Sequence, residues 1–200
     1  MQHTLLDIAK RTDAFFMEVS PIHETMRRLN ATFAEMNIPF AIAGAMAANA
    51  HGHKRTTADV DVLLRREDLE RFKQQWLGRG WVEQFEGSKG FRDATNNVKI
   101  DVLIVGDYPG DGLPKPVAFP DPETVTESGD EAIPFVSLKT LIELKLASGI
   151  SAVHRMQDLA DVIQLIRVNQ LPPEYAQQLD PYVQRKFQEL WTAAQVEEDY

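Results

Sequence analysis

The chain has 200 residues, 44% of them apolar, which is enough to bury the core of one domain or of one domain with a helical appendage. Its formal net charge of -9 disfavours a protein that binds nucleic acid over its whole surface, because such binding requires positive side chains that neutralise the phosphates. The sequence contains no cysteine, and this excludes disulfides, thiolate nucleophiles and cysteine-ligated zinc.

No segment of the sequence has the features of a membrane span or an export signal. The N-terminal residues carry charges inside every stretch that could serve as the apolar part of a signal peptide. No apolar run elsewhere approaches the roughly 18 residues that a spanning helix needs. The sequence therefore predicts a cytoplasmic protein that has no membrane partner.

The first half of the chain is predicted to alternate between helices and strands. Apolar residues recur at steps of three and four over residues 20–37, which predicts an amphipathic helix. A short apolar run then ends at Gly44 and predicts a buried strand, and the alanine-rich segment after it predicts a short helix. Further strands are predicted over residues 58–63, 81–85, 90–94 and 98–104, with a helix over 66–77.

The second half is predicted to be loop and then helix. Glycine and proline are dense over residues 106–134, which predicts mostly loop with one edge strand. Ser137 is a predicted N-cap for a helix over 138–147, and a second helix is predicted over 152–168. Shorter helices are expected after Pro173 and Pro181. We expect a core over residues 1–136, including N-terminal helices, and a helical region over 137–200 that packs on it.

Three aspartates on two predicted strands are the candidates for chemistry. Asp59 and Asp61 stand at alternate positions, so they share one face of their strand about 6 to 7 Å apart at their Cα atoms. Asp101 lies opposite the apolar face of a later strand. Hard cations such as Mg²⁺ prefer oxygen ligands of this kind. The pattern also fits ordinary strand carboxylates on a solvated face, with Asp101 paired to Lys99 or Arg92.

In this order the motifs resemble the nucleotidyltransferase superfamily related to polymerase beta. Its signature is a strand that ends in two small residues, a short helix, an Asp-x-Asp pair and a third aspartate on a later strand. Here these are Gly44-Ala45, Asp59-Val60-Asp61 and Asp101. The run Ala50 to Asp61, and the pattern of Lys145 followed by Arg155, Asp158 and Asp161, are similar to bacterial members near the AbiEii toxin group.

The resemblance implies an α+β fold with a nucleotidyltransferase-type mixed sheet flanked by helices and a helical C-terminal part. It also implies transfer of a nucleoside monophosphate from a nucleoside triphosphate to a hydroxyl of RNA, protein or a small molecule, as a toxin with an antitoxin partner. Mg²⁺ or Mn²⁺ would bind the catalytic residues Asp59, Asp61 and Asp101. The implied nucleotide-binding residues are Gly44, Ala45, Arg55, Thr57, Lys145 and Asp158.

Two departures from the signature keep other interpretations open. Ala45 replaces a second glycine or a serine, and Gln157 replaces a lysine of the group. An inactive protein that keeps the fold and binds a nucleotide or another protein is therefore the alternative. From spacing alone, Lys145 is either a phosphate contact or a surface charge, and Arg155 and Asp158 form an intrahelical ion pair. His51 and His53 lack the neighbours that a zinc site needs.

Overall fold

The computed structural model describes residues 20–128 and 132–196. The predicted N-terminal helical region before residue 20 lies outside the described residues. The helices are α1 (Pro21–Glu35), α2 (Gly44–Ala50), α3 (Arg66–Trp76), α4 (Pro122–Val125), α5 (Leu138–Ser151), α6 (Met156–Val168) and α7 (Pro181–Ala194). Short 3-10 helices cover Val153–Arg155 and Pro173–Gln178.

The strands form one mixed sheet. They are β1 (Ala41–Ile42), β2 (Asp59–Leu64), β3 (Trp81–Glu83), β4 (Phe91–Asp93), β5 (Lys99–Ile104), β6 (Thr126–Ser128) and β7 (Pro134–Val136). Their order across the sheet is β3-β4-β5-β2-β1-β7-β6. Strand β2 is parallel to β5 and β1 is parallel to β7, while the remaining neighbours are antiparallel. The expected α+β class with a mixed sheet flanked by helices is confirmed.

An aromatic cluster shows how helices cover one face of the sheet. Its rings come from α1, α3, β3, β4 and the residue before β1, and neighbouring ring centroids lie between 4.5 and 5.9 Å apart: Phe33, Phe40, Phe72, Trp81 and Phe91. Val60 and Val62 of β2 are fully buried. The alternation of the strand therefore puts Asp59 and Asp61 on the opposite face, away from the aromatic core.

The C-terminal helices pack on one another and reach the sheet through α2. Helix α5 contacts α2, α6 and α7, and α6 packs against α7. Ser137 caps α5 as predicted, because its side chain accepts a hydrogen bond from the backbone N–H of Thr140. This arrangement brings α5 and α6 beside the carboxylate face of β2.

The structure differs from the sequence prediction mainly in the glycine- and proline-rich region and after α5. Strand β7 was missed because it begins with a proline and its three residues are too few to show a period. One helix predicted over 152–168 begins as a 3-10 turn, and the helix expected after Pro173 is entirely 3-10. Within the described part of the chain, no helix combines the length and the apolar character needed to cross a membrane.

Candidate active site

Parallel pairing of β2 with β5 brings the three predicted carboxylates onto adjacent strands. Asp61 lies directly opposite Asp101, and Asp59 lies opposite Lys99. Neighbouring strands are about 4.8 Å apart, so Asp61 and Asp101 stand side by side on the same face. The two predicted strands are thus neighbours, as a shared carboxylate site requires.

Asp61 lies at the centre of this group and is partly buried. Its pKa is raised from 3.8 to about 6, first by burial and then by the negative charges of Asp59 and Asp101. Lys145 and Arg155 act in the opposite direction and lower this pKa. The cost of ionising Asp61 beside two other carboxylates is what a bound cation would relieve.

Gly44 brings the backbone into direct contact with Asp61. Its φ is +58°, in the left-handed region, and a Cβ at this position would lie 1.8 Å from Asp61 Oδ2. Only glycine fits here, because any side chain would both strain the backbone and collide with the carboxylate. Ala45 follows as a buried residue in the first turn of α2. The predicted small-residue turn and the predicted Asp-x-Asp strand therefore meet at a single point.

The outer carboxylates each have a hydrogen-bond donor from the protein. Thr57 Oγ1 donates to Asp59 Oδ1 at 2.7 Å, and Lys99 Nζ donates to Asp101 Oδ2 at 2.6 Å. The ion pair with Lys99 that the sequence left open is thus present. Among residues 20–128 and 132–196, no three His, Cys, Asp or Glu side chains stand together as metal ligands. The carboxylates share a face, but the expected metal-ligand arrangement is not assembled.

Lys145 is buried and does not form a surface charge. Its ammonium lies 3.0 Å from Asp158 Oδ1 and 2.6 Å from Asp161 Oδ2, and all three residues are at most 6% exposed. Burial opposes ionisation of both aspartates, but Lys145 holds the pKa of each below its usual range. The predicted pair between Arg155 and Asp158 is also present, at 2.8 Å from Nε to Oδ2. Lys145 thus joins α5 to α6.

Asp161 connects this buried network to the loop before β2. Its Oδ1 lies 3.4 Å from His53 Nε2 and 3.5 Å from Arg55 Nε, and it accepts a hydrogen bond from Gln157 Nε2 at 2.9 Å. The Arg55 Nε atom is buried and makes no hydrogen bond within the described residues. Arg55 therefore lies at the junction of the loop and the helices, with about a third of its side chain exposed.

Gln157, the residue that departs from the lysine of the signature, contacts Asp161. Its amide keeps a hydrogen bond to Asp161 without adding a positive charge. His51 has a structural contact instead of a metal-binding one, because its Nε2 lies 2.8 Å from the carbonyl oxygen of Val136.

Two solved structures resemble this fold. One is a protein of Thermotoga maritima provisionally described as a nucleotidyltransferase, with 14% identity, a TM-score of 0.47 and coverage of 70% of this chain and 93% of that chain. The other is ANT(2")-Ia in complex with adenylyl-2"-tobramycin, with 14% identity, a TM-score of 0.43 and coverage of 86% and 87%. No protein-family model matches the sequence, and no curated protein does. Because these similarities are low, the function has to be inferred from the chemistry of the site.

Several residues at the site were not predicted from the sequence. Asn49 of α2 is buried, and its side chain hydrogen-bonds the backbone N–H and carbonyl of Arg55. Ser148 Oγ donates to Asp158 Oδ2 at 2.7 Å, and Gln84 Nε2 lies 3.4 Å from Asp101 Oδ1. A polar residue within an apolar helical stretch was the available signal for Asn49 and Ser148, whereas Gln84 gave no sequence signal because its contact with Asp101 depends on tertiary packing after β3.

Proposed function

We propose that this chain is a metal-dependent nucleotidyltransferase that moves a nucleoside monophosphate from a nucleoside triphosphate to a hydroxyl group. One observation supports this most directly: Asp61 lies opposite Asp101 in register and touches the backbone at Gly44. A carboxylate pair that holds a cation and a close backbone turn that receives phosphates are the two parts that a site for a triphosphate and its metal needs.

The residues that would hold Mg²⁺ or Mn²⁺ are Asp59, Asp61 and Asp101. All of their ligand atoms are carboxylate oxygens, which hard divalent cations prefer. The raised pKa of Asp61 comes first from burial and then from the charges of Asp59 and Asp101, and a cation bound there would offset the repulsion among the three carboxylates. When bound, the cation would offset the charge of the phosphates and polarise the reacting phosphorus. Thr57 would orient Asp59 through the hydrogen bond that it already makes.

Backbone and cationic groups around Asp61 would bind the triphosphate. The main chain at Gly44 and Ala45 approaches Asp61 closely enough for one ligand to contact both. Lys145 and Arg155 place positive charge near Asp61, since both lower its pKa. Asp158 would orient Lys145, and Arg55 would contribute further positive charge from the loop before β2. In this proposal the helical region after residue 137 closes one side of the cleft.

In the proposed reaction, the oxygen of the acceptor hydroxyl forms a bond to the α-phosphorus of the triphosphate. The bond from that phosphorus to the bridging oxygen breaks, and pyrophosphate leaves with the electron pair. The hydroxyl proton is lost to water. The protein's contribution is to align the two reactants and stabilise charge, because phosphoryl-type transfer needs little covalent chemistry from side chains. The acceptor belongs to RNA, protein or a small molecule, and the toxin role and the antitoxin partner stay predictions of the sequence resemblance.

Transfer from triphosphates labelled at the α-phosphate tests the proposal. The purified protein is incubated with each labelled triphosphate, Mg²⁺ or Mn²⁺, and separate RNA, protein and metabolite fractions, and label transfer and pyrophosphate are measured. We expect both signals in one fraction, and we expect Asp61→Asn to lower them by several orders of magnitude. Asp107→Asn is the matched control, because Asp107 pairs with exposed Lys89 and Arg66 away from the site. Equal transfer by Asp61→Asn and the parent would overturn the proposal, and a parent that binds triphosphate but transfers nothing would support the inactive alternative.

A further inference from the structure

Both side-chain oxygens of Asp101 already have a donor next to them. Lys99 Nζ lies 2.6 Å from Oδ2, and Gln84 Nε2 lies 3.4 Å from Oδ1. The side chains of Lys99 and Asp101 are 40% and 36% exposed, so water can reach this pair from the open face of the sheet. Asp101 is therefore held by two neighbours, although it is a candidate metal ligand.

Gln84 reaches Asp101 across a gap that Gly90 provides. A Cβ at Gly90 would lie 2.4 Å from Gln84 Nε2 and 2.7 Å from the carbonyl oxygen of Ile100. Gly90 does not have a positive φ, so glycine is not needed here for its backbone conformation. It is needed because it has no side chain where the amide of Gln84 lies. Gln84 also donates to the Ile100 carbonyl at 3.0 Å, which fixes its amide beside Asp101.

Lys99 reaches Asp101 because the two residues alternate along β5 on the same face. Lys99 also lies opposite Asp59 in register, so it shares a face of the sheet with the carboxylates that would bind a cation. An ammonium and a divalent cation compete for the same carboxylate oxygen. Because the ion pair is more than a third exposed, the lysine can leave at a small cost in free energy.

We propose that Lys99 and Gln84 form a two-donor clamp on Asp101, in which Lys99 occupies Oδ2 and has to leave before this oxygen binds a divalent cation. The inference rests on the proposed function, because it takes the three aspartates as the metal ligands. Asp59 and Asp61 would hold the cation together with Asp101 once Lys99 has moved away. Gln84 keeps Asp101 oriented during this exchange. Both are positioning residues, since they act through Asp101.

Binding of Mn²⁺ to the full chain without nucleotide, followed by calorimetry or electron paramagnetic resonance, tests the role of Lys99. We expect Lys99→Met to bind Mn²⁺ about three- to tenfold more tightly than the parent, because it removes a competing charge from an exposed ion pair. Lys99→Arg keeps that charge and should return the affinity to near the parent's. Lys186→Met is the control, because it removes one positive charge from an ion pair with Glu189 on α7.

Gln84 is tested with the same readout. Gln84→Ala should weaken Mn²⁺ binding, because Asp101 then loses the donor beside its Oδ1, and parent-like binding by this variant would overturn the role of Gln84. Unfolding midpoints measured with chelator show whether each variant is folded.

The possible results separate the clamp from the proposed function. If the parent binds Mn²⁺ and Lys99→Met binds it no more tightly, the clamp is overturned while the metal site stands. The clamp is also overturned if Lys186→Met gains as much affinity as Lys99→Met, since net charge would then explain the gain. If neither the parent nor Lys99→Met binds Mn²⁺, the metal-dependent function itself is overturned. Tighter binding by Lys99→Met and recovery in Lys99→Arg support the clamp.

Discussion

At the scale of single residues, the contact between Gly44 and Asp61 is the tightest constraint on the site. The glycine has a left-handed backbone, and a side chain at this position would occupy the place of the Asp61 carboxylate. Two separate costs follow from any substitution. One is backbone strain of about 1–3 kcal/mol for a non-glycine residue in this region, and the other is displacement of the carboxylate.

Gly44→Ala separates these two costs when it is compared with Gly78→Ala. Gly78 has φ +81°, but a Cβ there would meet nothing within 4 Å. We expect both variants to lose stability by about 1–3 kcal/mol from strain. Only Gly44→Ala should also lose Mn²⁺ and triphosphate binding, as measured by calorimetry below the unfolding midpoint. Parent-like binding by Gly44→Ala would show that Asp61 is not placed by this contact.

The raised pKa of Asp61 predicts a dependence of stability on pH. The folded-state pKa is about 6 and the ordinary value is 3.8, so the folded protein binds the proton more tightly than the unfolded chain. Asp61 therefore does not lower the free energy of unfolding at low pH, where it is protonated in both states. It lowers this free energy progressively as the pH rises from about 4 to about 6. Above that range the full cost is about 3 kcal/mol, since one pKa unit corresponds to about 1.4 kcal/mol.

Asp61→Asn removes this cost, because the amide has no charge. The variant should be more stable than the parent by up to about 3 kcal/mol at pH 8, and the two should converge near pH 4. Denaturant unfolding at several pH values without divalent cations measures the difference. Taking the difference cancels the opposite contribution of Asp158 and Asp161, whose pKa values are lowered in the fold. A gap that is constant with pH would contradict the raised pKa.

At the scale of elements, the period of the apolar residues predicted most helices and strands within one to three residues. Strand β2 was expected over 58–63 and covers Asp59–Leu64, and α3 was expected over 66–77 and covers Arg66–Trp76. These elements have one buried face, so their apolar residues recur in the sequence with the period of the helix or strand. Strand β7 gave no such signal, because its few residues are held by pairing with β1 and β6.

The same limit applies to the site. Asp59 and Asp61 could be placed together from alternation along one strand, but their partner across the sheet depends on which strands are neighbours. The direct pairing of Asp61 with Asp101 comes from strand register, whereas the contact of Gln84 with Asp101 depends on how the segment after β3 packs against β5. Lys145 shows a further limit of prediction from sequence. A helical lysine can be exposed or buried, and Lys145 is buried because it pairs with Asp158 and Asp161 across two helices.

The link between α5 and α6 predicts a large effect of Lys145→Ala on stability. Removing the ammonium leaves the buried Asp158 and Asp161 without their shared cation, which costs about 3 to 5 kcal/mol for a buried pair. Lys139→Ala on the same helix is the control, because Lys139 is half-exposed and pairs with Glu143 one turn away. It should change the free energy of unfolding by less than about 0.5 kcal/mol. Similar small effects for both variants in urea unfolding would show that the network contributes little to stability.

At the scale of the whole molecule, the fold brings charges of both signs close to Asp61. The sheet contributes the carboxylates of β2 and β5, while α5 contributes Lys145 and the 3-10 turn before α6 contributes Arg155. After burial, the two other aspartates raise the pKa of Asp61, and Lys145 and Arg155 lower it. A metal-bound triphosphate carries both signs of charge and suits such a place. The helical region after residue 137 thereby becomes part of the proposed site, whose candidate metal ligands lie on the sheet.

This arrangement predicts that stability and cation binding are linked in the whole protein. For an assumed dissociation constant of about 1 mM, roughly 10 mM Mg²⁺ should stabilise the fold by about 1.4 kcal/mol, or about 3 to 6 °C in Tm for a chain of this size. Asp59→Asn should raise Tm in chelator, because it removes one of the charges that oppose ionisation of Asp61, and it keeps the oxygen that Thr57 contacts. The same variant should show a smaller rise with Mg²⁺, since it has lost a ligand. Thermal unfolding of parent and variant at matched ionic strength measures both signs together. A variant that is less stable than the parent in chelator and keeps the full response to Mg²⁺ would show that Asp59 is structural and that the cation binds elsewhere.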